Sequence, residues 1–120
     1  MRHTVKLKDV IVGHSDLEFA DEPAGRAWGV FRPGLGYDLV QPVFRLFTKA
    51  VPMLGGEPFD EITLEKYYAA RDELDLSLVD ASGAQIETAA IHIADYLAEK
   101  GIIQVEALIK DAAYWDARGS

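Results

Sequence analysis

At 120 residues the chain has the length of one ordinary domain, enough to bury a core without covalent staples. It contains no cysteine, which removes disulfides, thiolate catalysis and cysteine-held metals. Twenty acids against 12 bases give a formal charge of −8, a field that repels nucleic-acid backbones and anionic lipid surfaces.

The first 13 residues alternate charged and apolar side chains, unlike the apolar core of a secretory leader. No apolar run approaches the ~20 residues that a membrane helix requires. A cytoplasmic protein is expected. Arg2, Lys6 and Lys8 read as the solvated face of a strand.

In chain order, Thr4 to Val12 predicts a strand, because Val5 and Leu7 alternate with Lys6 and Lys8. The alternation slips at Asp9, which predicts a bulge at Lys8–Asp9. Leu17 and Phe19 predict a second strand, "ADEPAG" a turn and "RAWGVF" the return strand. A symmetric hairpin would set Leu17 opposite Trp28 and Phe19 near Arg26, all on one face.

"RPGLGYD", residues 32–38, lies where phosphate loops often lie, between a strand and a helix. It lacks both GxGxxG and GxxxxGK[ST]. Pro33 removes an N–H donor, and the Asp38 carboxylate would compete with an anion for the helix start. The stretch therefore reads as a corner, with Asp38 capping the next helix and Gln41 completing a capping box. A later start, with Pro42 in the first turn, is the other option. Val40, Phe44, Phe47, Val51 and Leu54 fall on one face of that helix.

Residues 59–74 predict a second helix capped by Asp60, with Leu64, Tyr67 or Tyr68, Arg71 and Leu74 along one side. Leu74, Leu76 and Leu78 then alternate as a strand, "DASG" turns, and "AQIE" returns. Thr88 to Lys100 reads as a helix stopped by Gly101, although Ile91 and Ile93 also suit a strand. "IIQVEALI" is the last strand. The order β-β-β-α-α-β-β-α-β segregates strands from helices. It predicts one α+β domain over residues 1–120, with a mainly antiparallel sheet of about five to six strands covered on one face by about three helices. Val5, Leu7, Trp28, Phe44, Phe47, Leu76, Leu78 and Val105 are the expected core.

Two groups carry candidate chemistry. In an extended "HSDLE", His14, Asp16 and Glu18 project to one face, a donor set for a divalent metal or for acid–base work. The plainer reading is the polar face of a hairpin. His92 and Asp95, three apart on a helix, form a pair that can orient an imidazole. If His14 and His92 met, with Asp16 and Asp95 behind them, a hydrolytic or metal centre would follow. No serine sits in a nucleophile motif. Met53, Leu54 and Phe59, in a glycine-rich connection, and Trp115 near the C-terminus are candidate interaction anchors, or else caps on the core.

The function read from these features is a small acidic cytoplasmic protein. It acts as a non-catalytic protein-binding or inhibitory module for a basic partner such as a nuclease-type toxin or a nucleic-acid-binding protein. No cofactor, metal, nucleic acid or membrane is expected. The alternative is a small metal-dependent or His/Asp acid–base enzyme or ligand-binding protein built on His14, Asp16, Glu18, His92 and Asp95. The placement of the two histidines separates the readings.

Overall fold

The computed structural model of the chain describes residues 2–53 and 56–118. β1 (His3–Leu7) and β2 (Val10–Ser15) form a hairpin, and β3 (Phe19–Asp21) and β4 (Arg26–Val30) form a second. β5 (Arg32–Pro33), α1 (Gln41–Ala50) and α2 (Glu61–Leu74) follow. The chain continues through β6 (Ser77–Val79), β7 (Gln85–Ile86), β8 (Thr88–Tyr96), α3 (Leu97–Lys100), β9 (Ile102–Ile109) and α4 (Ala112–Arg118).

Every strand pairs antiparallel, and the strands divide between two sheets, ordered β5-β2-β1-β6-β7 and β3-β4-β9-β8. The α+β class follows as the segregated runs predict, with two sheets in place of one. The division falls at Leu17, which is fully buried and takes φ 44 directly after β2. Sinking that side chain turns the chain out of the first sheet and into the second.

One core joins both sheets and the helices. Val5, Val12, Leu78 and Ile86 come from the first sheet, and Ala27, Ile91, Ile93, Val105, Ala107 and Ile109 from the second. Tyr37, Phe44 and Tyr67 are buried in the same cluster. Of the expected core, Leu7 and Phe47 are half-buried at its margin. Trp28 departs from expectation. In β4 it alternates with the buried Ala27 and Gly29, so it stands on the opposite face with Arg26 and Val30.

Several local expectations are corrected. The slip at Asp9 is a hairpin turn, with Lys8 at φ 54 as two-residue hairpins require; the bulge lies between Val5 and Lys6. Phe19, not Leu17, lies opposite Trp28, and Asp21 lies opposite Arg26. Thr88–Tyr96 is a strand. Its alanines gave a helical reading, but Ile91 and Ile93 need burial, and pairing with β9 along almost its whole length overrides the local preference.

The 32–38 corner contains a 3-10 turn over Leu35–Leu39, and α1 begins only at Gln41 with Pro42 in its first turn. Asp38 does not cap it: Val40 is the N-cap position and makes no side-chain cap bond. Asp60 does cap α2, accepting from the Thr63 N–H at 3.1 Å. Gly36 decides the shape of the corner. A Cβ there would stand 2.5 Å from the Ile11 carbonyl oxygen and 2.5 Å from Val10 Cγ1. Gly36→Ala should therefore cost about 1–3 kcal/mol in urea denaturation. A neutral substitution would show that the corner is loosely packed.

Candidate functional site

β2 ends at Ser15, whose Oγ accepts the Leu17 N–H at 3.0 Å, so "HSDLE" is a turn and not an extended run. Its polar side chains separate accordingly. His14 stays in the strand, with Nδ1 3.1 Å from Thr4 Oγ1. Partial burial, then Arg2 and Arg32, hold its pKa below the ordinary value. Asp16 pairs with Arg32 at 3.2 Å. On its other side it borders a cleft of about 400 Å³ with Asp80, Asp111, Ile86 and Tyr114. Glu18 folds onto the second sheet, where its carboxylate accepts the Val30 N–H at 3.4 Å; Gly29 leaves the room for it.

His92 and Asp95 lie in β8, where an odd separation sends them to opposite faces, so they do not form the expected helical pair. Asp95 is buried at 2% exposure and is fully engaged. It accepts from Tyr37 Oη at 2.7 Å, Gln41 Nε2 at 3.5 Å and the Leu97 N–H at 3.2 Å. Burial, then that bond to Asp95, pushes the Tyr37 phenol well up. The Asp95 carbonyl accepts from Arg45 Nη1 at 2.9 Å and Thr48 Oγ1 at 2.7 Å. These bonds bind α1 to β8, the edge strand of its sheet, and so cover backbone that would otherwise invite pairing. Asp95 is a structural anchor.

His92 sits among aromatic rings. Phe47 is 4.3 Å from its ring, Tyr67 5.5 Å and Phe44 6.5 Å, centroid to centroid, and Tyr67 Oη is hydrogen-bonded to Nδ1. Burial, then the nearby Arg71, lowers its pKa to about 4, so the ring is neutral near pH 7. His14 and His92 belong to different sheets, and a hollow that His92 lines does not include His14. Among the described residues, no three His, Asp or Glu side chains are grouped to hold a metal ion.

The surface of α2 is a different matter. Residues 57–75 hold seven acids, Glu57, Asp60, Glu61, Glu65, Asp72, Glu73 and Asp75, against Lys66 and Arg71. That is −5 of the chain's −8. All seven are exposed, whereas Tyr67 on the opposite side of the helix is fully buried. Apolar side chains stand among them: Phe59 is 84% exposed, Ile62 69% and, just before, Met53 68%. Leu54 lies outside the described residues. Trp115 is half-buried against the core, and its indole N–H donates to the Ile109 carbonyl at 3.1 Å. Sequence reading found Met53 and Phe59 but passed over Ile62 and the uneven distribution of charge, which a count along the chain reveals.

No protein-family model, curated protein or solved structure matches the chain. Among the described residues, no helix is long and apolar enough to cross a membrane.

Proposed function

We propose that the protein is a non-catalytic binding module that engages a basic protein partner through the exposed side of α2 and the connection before it. The observation that carries this reading is the concentration of charge over residues 57–75, where Glu57, Asp60, Glu61 and Glu65 flank the exposed Phe59 and Ile62 in sequence. Carboxylates steer a cationic surface into place, and apolar side chains beside them supply contact area once it arrives. The helix is suited to such a role, because Tyr67 packs on Phe44 and Phe47 and holds its inner side to the core. The partner is a protein with a positive, partly apolar face, and inhibition by occlusion of that face is the expected consequence.

The test is affinity capture from the native cells with the wild type and with a Glu61→Lys, Glu65→Lys, Asp72→Lys variant, followed by association kinetics with any chain the variant fails to retain. The partner should be basic, and its association rate should fall by about tenfold or more between roughly 20 and 300 mM salt. Retention of the same partner by a folded variant, or a flat salt response, would refute the reading.

A further inference from the structure

The two-residue period of the second sheet builds a feature apart from α2. In register, Phe19 of β3 lies opposite Trp28 of β4, Trp28 opposite Glu106 of β9, and Glu106 opposite His92 of β8. One row thus crosses all four strands on the face turned away from the Val105–Ala107 side. At its β8 end is a hollow of about 250 Å³, lined by Arg26, Trp28, Phe47, His92, Gln104 and Glu106.

Its walls are flat. The Arg26 guanidinium lies 4.6 Å over the Trp28 ring and donates to Glu106 Oε2 from Nε at 2.9 Å and Nη2 at 2.6 Å. Phe47 stands against His92 on the other side. The guanidinium laid on the indole forms one wall and the Phe47–His92 pair the other, and the volume, smaller than that of sites that hold drug-sized molecules, limits the occupant to about one ring.

The polar groups define the ligand's edge. Tyr67 Oη is hydrogen-bonded to His92 Nδ1. With the phenol as the donor in that bond, the proton of the neutral imidazole is on Nε2, a donor. Both Arg26 bonds go to one oxygen of Glu106, and the second oxygen remains an acceptor beside it. Arg26 and Glu106 cancel in charge, so a charged ligand would lose hydration without compensation. A cation also finds the Trp28 face already covered by Arg26.

We propose that this hollow binds a neutral aromatic ring bearing an amide edge, whose carbonyl accepts from His92 Nε2–H and whose N–H donates to Glu106. Directly opposed side chains on neighbouring strands are close enough to grip the two ends of an amide. Gln104, two residues from Glu106 on the same face, closes the open side.

Benzamide is the probe, titrated into ¹⁵N-labelled wild-type protein. The amides of residues 92 and 104–106 and the Trp28 indole N–H should shift saturably. N,N-dimethylbenzamide, which lacks the N–H, and benzoate, which is charged, should bind at least about tenfold more weakly, the factor expected of one lost charge-assisted hydrogen bond. Glu106→Ala should weaken benzamide to the same degree. Gln104→Phe, which fills the hollow and leaves the ion pair intact, should abolish binding, and it decides the matter if Glu106→Ala fails to fold. No saturable shift up to about 10 mM benzamide, or equal binding of all three compounds, would overturn the proposal. Neither result bears on the acidic side of α2.

Discussion

Replacing Phe44 by alanine should lower the free energy of unfolding by about 3–5 kcal/mol, the range for truncating a fully enclosed aromatic side chain. Phe44 has no exposed surface and joins the two halves of the core. Tyr67 of α2 lies 6.0 Å away, His92 of β8 6.5 Å away, and α1 itself is pinned to β8 through Asp95. Those bonds hold the backbone in place, so the cavity cannot collapse by moving the helix, and the cavity cost adds to the lost transfer energy. Phe47, one turn on, is half-buried at the rim of the hollow and should cost less on the same substitution. Urea titrations of both variants give the comparison: the midpoint should fall further for Phe44→Ala at an unchanged slope. A loss under about 1 kcal/mol, or a larger loss for Phe47→Ala, would show that α1 does not carry the core as described.

The elements that could be read from the sequence are those whose periodicity serves one buried face. β9 alternates Ile103, Val105, Ala107 and Ile109 against Gln104, Glu106 and Leu108, and folds that way. Of the stripe Val40, Phe44, Phe47, Val51 and Leu54, Phe44 is buried within α1 and Val40 and Val51 are buried at its ends, Phe47 is half-buried and Leu54 lies outside the described residues; the Asp60 cap is a local signal read locally. What failed depends on distant pairing. β8 is an alanine-rich segment whose state is decided by β9 beyond a turn and by α1 some 50 residues earlier in the chain. Trp28 looks like a core residue by type, but the strand phase set by Ala27 and Gly29 turns it outward.

The same distinction runs through the candidate sites. His14, Asp16 and Glu18 share a face only if Leu17 is extended, and its positive φ is a tertiary result: the side chain is drawn into the core where the chain changes sheets. The row from Phe19 to His92 brings together residues from four separate stretches and has no signature in any of them. The acidity of α2, by contrast, is visible in composition alone, because neighbours in sequence on one short helix are neighbours in space.

Acid should weaken the fold well before the carboxylates titrate, and His92 is the group responsible. Its folded-state pKa of about 4 lies below the ordinary 6.5, because the ring is buried against Phe47, Phe44 and Tyr67 and feels the Arg71 cation. Glu106 faces it across the strand, but that charge is already taken up by Arg26. Protonation would place a cation, stripped of water, in an aromatic setting. Below pH 6.5 the unfolded chain therefore binds a proton at this position that the folded chain refuses until about pH 4. Stability is fully present above 6.5 and declines as pH falls toward 4, by about 3 kcal/mol over the whole interval. Asp60, Asp80 and Glu99, whose pKa values are held low by their hydrogen bonds, act in the same direction but at lower pH. Measuring urea midpoints between about pH 7 and 5 therefore isolates the imidazoles. His92→Gln, which keeps an acceptor for Tyr67 and removes the titration, should flatten most of the slope. His14→Ala should leave most of it, since that ring lies on β2 in the other sheet and not in the aromatic cluster. A wild-type midpoint constant over that range, or a slope that survives His92→Gln, would mean that the imidazole finds its proton as easily inside the fold as outside it.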